Sequence, residues 1–270
     1  MAEAASKPVG TREWYDFVGQ LADTIPGIHI GGQDATHTLL EMCQIDETRP
    51  ILDVGCGAGH TACLIAQKFG AQVHGIDISE VMISKAQERA NRMGLTDRVK
   101  FRTADAYQLP FEDGCFDVVL IESVLTPLPG DKVQALREMM RVLRPGGLIG
   151  ANESIVAPEV PPEILAAFAR HPATYGHFTA STLRESFARA GLQEIQMVEA
   201  MNVEAPNPLK MMGLCGFLSF MIRTYPKIIL TLLRDARFRE AARIDDQITK
   251  GGKQYMGYAL IVGRKPKSHA

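Results

Sequence analysis

Residues 51–59 read Ile51-Leu52-Asp53-Val54-Gly55-Cys56-Gly57-Ala58-Gly59, a short apolar run that carries an acid and opens onto three alternating glycines. A chain that leaves a buried strand and turns at once into a helix needs backbone without Cβ atoms where it passes a ligand, and glycine supplies that. The pattern predicts a strand, a tight turn and a helix whose first N–H groups point at a bound group. A nicotinamide fingerprint would be GxGxxG or GxGxxA, whereas here His60 stands at the sixth position and the spacing is GxGxG. The loop is therefore shaped for a different adenosine-bearing ligand, and a NAD-type oxidoreductase is the disfavoured alternative.

Around this loop, short aliphatic runs alternate with amphipathic stretches, the pattern of βαβ units about a parallel sheet. Strands are predicted over 51–54, 72–76, 99–103, 116–121 and 148–152, all apolar enough to be covered on both faces. Helices are predicted over 59–69, 81–93 and 131–143, with Gly70 and Gly94 placed to end the first two and Arg144-Pro145-Gly146-Gly147 the third. Thr179 caps a helix that Gly191 stops, and strands follow over 192–200 and 255–262. If those last two pair, a simple hairpin has been opened by an insertion over 201–254.

Acids recur where strands end. Asp77 lies 22 residues after Gly55, where a doubly wound fold presents a carboxylate to the two hydroxyls of a ribose. Asp105 follows the third strand and is placed to accept from an adenine amino group. Asp53, Asp77 and Asp105 thus line one edge of one sheet.

Charge is divided unevenly. Residues 201–270 hold 12 Lys or Arg against 5 Asp or Glu, while the first 200 hold 17 against 26. The acidic front offers no basic stripe, which argues against a nucleic-acid partner. The five cysteines are never spaced CxxC, and Cys56 and Cys63 read as small apolar fillers near the glycine loop, which favours a reducing, cytoplasmic setting. The polar start, residues 1–14, has no apolar run of the secretory kind. His29, His37, His171 and His177 show no metal-ligand spacing, so no metal is expected.

Together the segments DVGCGAG (53–59), GIDIS (75–79), TADAYQLPFEDGCFDVV (103–119) and RVLRPGGLI (141–149) resemble the class I S-adenosylmethionine-dependent methyltransferases. The resemblance is to the small-molecule branch with the ubiquinone, menaquinone and sterol-type enzymes, and it covers roughly residues 30–200. It implies a Rossmann-like, doubly wound and mostly parallel seven-stranded sheet with an antiparallel last strand. It also implies that Asp53, Gly55, Cys56 and Gly57 form the cradle for the methionine part of S-adenosylmethionine, and that Asp77 holds the ribose. Asp105 and Ala106 would flank the adenine, Ile78 and Met82 would cover its face, and Glu122 would sit near the reacting methyl. In relatives an N-terminal helix, here beginning around Trp14, Tyr15 and Phe17, commonly folds over the cofactor.

Such a donor needs no metal; the protein has to align donor and acceptor and exclude water. A general base is required only if the acceptor must lose a proton, and Glu122, Glu153, Tyr175 and His177 are the candidates. The organisation expected is a helical lid over 1–45, a cofactor-binding α/β core over 46–200, a helical insertion over 201–254 above the acceptor pocket, and a last strand with a basic tail over 255–270. The unbroken apolar run 211–222 is too short to span a bilayer. Two readings of it stand: a packed cap over a lipophilic small-molecule acceptor, or a basic amphipathic surface over 209–243 that makes peripheral contact with membrane and reaches an embedded quinone or lipid precursor.

Overall fold

Side-chain alternation along the strands divides the core into two layers. The structure is a computed structural model that describes residues 9–21, 29, 31–171, 177–201 and 217–267. In strands β1 (Ile51–Val54) and β4 (Phe116–Glu122), Ile51, Val118 and Leu120 face one helical layer, while Leu52, Val54, Val119 and Ile121 face the other. None of the seven is more than 1% exposed. The first layer is built from helices α2 (Gly32–Met42) and α3 (His60–Phe69), the second from α5 (Lys132–Val142) and α7 (Ala180–Ala190). Truncating one such leucine to alanine costs about 2–5 kcal/mol.

The sheet has seven strands in the order β3-β2-β1-β4-β5-β7-β6. The remaining strands are β2 (Val73–Asp77), β3 (Val99–Thr103), β5 (Leu143–Val156), β6 (Gln193–Met201) and β7 (Met256–Arg264). Six strands point the same way, and β7 lies antiparallel between β5 and β6. Pairing of Met201 with Gly257 marks the mouth of the opened hairpin. Strand β5 begins earlier than predicted. Leu143 already pairs with Phe116, so the Arg144-Pro145-Gly146-Gly147 turn becomes an irregularity within the strand, with Gly146 at φ +82°.

Helix ends follow their chemistry. Ser79 accepts from the Met82 amide to cap α4 (Glu80–Met93), and Thr179 and Thr182 form a reciprocal capping box on α7. Beyond β6, residues 217–223 are helical and lead into α8 (Tyr225–Arg234) and α9 (Ala236–Gly252). Ile244 and Ile248 of α9 pack on Ile164 and Phe168 of α6 (Pro162–Arg170). Phe238 of α9 stacks at 6.0 Å on Trp14 and meets Phe17 edge-on at 4.9 Å, both residues of α1 (Thr11–Leu21). Among the described residues no helix is long and apolar enough to cross a membrane.

Candidate active site

Parallel strands that stop in register leave a crevice beyond their carboxyl ends, beside the point where strand order reverses. Here the reversal lies between β1 and β4, and the crevice is a cavity of about 790 Å³. Its floor is the glycine turn. Gly55 has φ +69° and Gly57 φ +51°, in the left-handed region that favours glycine. A Cβ on Gly55 would lie 2.5 Å from Val124 Cγ2, whereas one on Gly57 would meet no heavy atom within 4 Å. The backbone at Gly57 is therefore open to a ligand rather than packed against protein.

Three acids converge on this floor. Asp77 is pinned by its own neighbours: its Oδ2 accepts from the Gly57 amide at 3.0 Å and its Oδ1 from the Ser79 amide at 2.9 Å. Burial raises its pKa, and those amide hydrogen bonds oppose the rise. Asp53 is only 3% exposed, and its Oδ2 has no hydrogen-bond partner among the described residues. Burial, then the charges of Glu122 and Asp77, push its pKa well above the usual carboxylate range. Glu122 closes the group at the end of β4, where Thr61 Oγ1 donates to its Oε1 at 2.7 Å and Thr36 Oγ1 to its Oε2 at 2.8 Å. A cluster this short of counter-charge calls for a cationic ligand.

All ten residues expected to touch the cofactor line the cavity: Asp53, Gly55, Cys56, Gly57, Asp77, Ile78, Met82, Asp105, Ala106 and Glu122. The expected bases are distributed differently. Glu153 is completely buried and does not line the cavity. Its Oε1 accepts from the Val124 and Leu125 amides, both at 2.8 Å, and its Oε2 from the amide and hydroxyl of Thr126 at 3.1 and 2.8 Å. Every direction of approach is taken, so this carboxylate clamps the loop after β4 instead of meeting an acceptor. His177 is exposed on the surface and outside the cavity lining, and Tyr175 lies outside the described residues.

The lid is also differently built. Gly10, Thr11, Tyr15, Asp16 and Val18, in and just before α1, line the cavity, whereas no described residue of the insertion does. The Ser79 hydroxyl donates to Asp16, fastening α1 to the start of α4. Among the described residues, the insertion bears on the site through α1, which it braces with Phe238. Sequence reasoning missed His29, Thr36 and Thr61. The two threonines stand 86 and 61 residues from the glutamate they hold, so no local pattern marks them.

The charged groups and the open glycine turn fit S-adenosylmethionine. All of them line the cavity, where Asp53 would face the ammonium, Asp77 and the Gly57 backbone would hold the ribose and its tether, and Ile78, Met82 and Ala106 would give apolar faces for an adenine.

Comparison with known proteins follows the same line. Residues 51–147 match a family described as a methyltransferase domain. The chain is 40% identical over 158 residues to the 27-O-demethylrifamycin SV methyltransferase of Amycolatopsis mediterranei, covering 53% of this chain and 58% of that protein. Across the first curated relatives the chain spans 53–61% of their length. Among solved structures, the [4+2]-cyclase SpnF superposes with a TM-score of 0.74 at 26% identity, over 97% of both chains. A methyltransferase from Geobacter sulfurreducens, solved with S-adenosyl-L-homocysteine, superposes at 0.67 and 20% identity over 93% of this chain and 98% of that one, a likeness of fold.

Proposed function

We propose that this chain, whose residues 51–147 match a methyltransferase domain, is a class I methyltransferase that transfers the methyl group of S-adenosylmethionine to a small, lipophilic acceptor. The observation that carries the reading is the cavity at the open glycine turn, where the carboxylates of Asp53, Asp77 and Glu122 converge. When bound, the cofactor supplies an activated methyl on a positively charged sulfur, and the three acids favour that charged form over its neutral product.

The chain's own part is placement. Asp77, held by the Gly57 and Ser79 amides, presents its remaining lone pairs to a diol. The Glu153 clamp fixes the loop that contributes Ser123, Val124, Pro127, Leu128 and Pro129 to the wall. That wall and Val18 of the lid give the acceptor side an apolar lining, which excludes water from the transfer. A volume near 790 Å³ lies in the upper part of the range for ligand pockets, about 300–1,000 Å³, and leaves room for a second molecule beside the cofactor. The relative named 27-O-demethylrifamycin SV methyltransferase supports a small organic acceptor.

The test is calorimetric titration with S-adenosylmethionine and S-adenosylhomocysteine, followed by transfer of a labelled methyl to a panel of apolar and of highly polar acceptors. Label appearing only in polar metabolites would remove the lipophilic class. Binding without any loss of the methyl would favour a reaction of the sort for which the SpnF neighbour is named.

A second reading, an acceptor embedded in membrane, draws on the outer surface of the insertion. Leu218, Met221, Ile222, Tyr225, Ile229, Leu230 and Leu233 are all exposed there, and α8 buries no residue. Arg223, Lys227 and Arg234 lie on the same segment. Arg237 and Arg239 are otherwise engaged, the first with Glu13 and Asp235, the second with the carbonyls of Leu232 and Leu233. Sedimentation with anionic vesicles that is lost on Ile222→Ser with Leu233→Ser would favour this reading, and no sedimentation at low salt would end it.

A further inference from the structure

Two histidines line the cavity, and they are held in opposite ways. His60 Nε2 stands 2.6 Å from Arg89 Nη2. A guanidinium only donates, so this nitrogen is an occupied acceptor, and burial pushes His60 down to about 4. His29 is covered to 14% side-chain exposure, with its Nε2 2.8 Å from Thr36 Oγ1 and 3.5 Å from Glu122 Oε2. The Thr36 hydroxyl has one hydrogen, and it goes to the charged Glu122 Oε2 at 2.8 Å rather than to the Gly32 carbonyl at 3.4 Å. Its oxygen must then accept from His29, which fixes the hydrogen of the neutral ring on Nε2 and leaves the lone pair on Nδ1. Among the described residues Nδ1 has no hydrogen-bond partner.

We propose that His29 is the catalytic base of the site, with Thr36 and Glu122 as positioning residues, and that the acceptor is a molecule with an ionisable hydroxyl of the phenol or enol class. This rests on the methyl-transfer reading above. In the step, the acceptor O–H bond breaks, its proton passes to His29 Nδ1, and the electron pair stays on oxygen. That pair forms the new O–CH3 bond as the C–S bond breaks, and the C–S electrons remain on sulfur, which becomes neutral. The imidazolium is stabilised by Glu122 at 3.5 Å until the proton leaves to solvent. The charged and titratable groups around His29 are Glu122 from β4 and His60 from α3, with Arg89 of α4 behind it.

Ring-nitrogen NMR of the full chain labelled with 15N-histidine tests the relay without any turnover. The expected spectrum shows His29 as the Nε2–H tautomer, with Thr36→Val abolishing that preference. A ring protonated on Nδ1 would overturn the proposal. The second measurement uses S-adenosylmethionine with substituted phenols of graded acidity. His29→Gln is expected to lower kcat by about 10²–10⁴-fold for weakly acidic phenols. It should approach wild type as the phenol ionises by itself at higher pH, and calorimetry should show cofactor affinity within about twofold of wild type. Equal loss at every pH, or no loss, would overturn it, as would wild-type transfer confined to carbon or nitrogen acceptors. Failure of the wild type to bind S-adenosylmethionine at all would instead overturn the parent reading, with the tautomer still deciding whether the relay exists.

Discussion

Arg237 grips Glu13 with two nitrogens, Nη2 2.6 Å and Nη1 3.2 Å from the two carboxylate oxygens, joining helices that lie 224 residues apart in the chain. Both partners are substantially exposed, so the ion pair itself is worth about 0–1 kcal/mol. Beneath it, Phe238 is buried against Trp14 and Phe17. Because α1 walls the cavity while α9 does not, the insertion governs the lid at one remove. Phe238→Ala is expected to weaken S-adenosylmethionine binding by about tenfold, equivalent to ~1.4 kcal/mol, and Arg237→Ala by much less. Calorimetry on both variants checks the order, which would be reversed if the surface ion pair were the true latch.

Asp53 should make cofactor affinity depend on pH. Its pKa in the free protein stands well above the ordinary 3.8, so the folded state is favoured by its protonation and loses that advantage as pH rises from the ordinary carboxylate range through the raised value. A bound cation reverses the shift, so binding releases a proton and tightens as pH rises across the same window. Asp53→Asn should flatten that dependence and weaken binding. It should also raise the Tm of the free protein at neutral pH, with the gain shrinking on acidification towards the ordinary range. A variant that lowered Tm at neutral pH would contradict this account.

For Glu153 the expected loss is in stability. Removing its carboxylate strands three backbone amides and a hydroxyl in a dry interior. At about 1–3 kcal/mol for each buried group left unpaired, Glu153→Ala should cost several kcal/mol, measurable by urea denaturation. Burial pushes the pKa of this carboxyl up while the four donors pull it down. Glu153→Gln, which keeps an accepting oxygen, should recover part of the loss.

At Gly55 a methyl group meets both a left-handed backbone and a clash 2.5 Å from Val124 Cγ2. The backbone alone costs about 1–2 kcal/mol. Gly55→Ala should therefore melt earlier and bind cofactor more weakly. Gly57→Ala, with open space around the added carbon, should lose binding more than stability.

Much of this arrangement was legible in the sequence because it is written locally. The strand, glycine turn and helix over 51–69 occupy one continuous stretch, and Asp77 follows at a fixed interval set by one βαβ unit. The pairing of β6 with β7 was readable too, since both runs have strand composition despite the long gap between them. Glu153 misled because its position after a strand fits an acceptor site as well as a clamp. Only the amides of 124–126, 27–29 residues upstream, decide between them. His29 carried no signal at all, since its meaning comes from a threonine one helix away and a glutamate on a distant strand.

The hairpin between β6 and β7 closes with Met201 opposite Gly257, whatever lies between. Loop closure becomes only slightly harder as a loop lengthens, by about 0.6 kcal/mol per doubling. The described half of that segment packs on α6 and the end of β5, but its length can change without unpairing β6 from β7 or altering the carboxylate floor. A chain of this design can retune how its N-terminal helix is held, and so which molecules gain entry, through one replaceable cassette while the donor end stays constant.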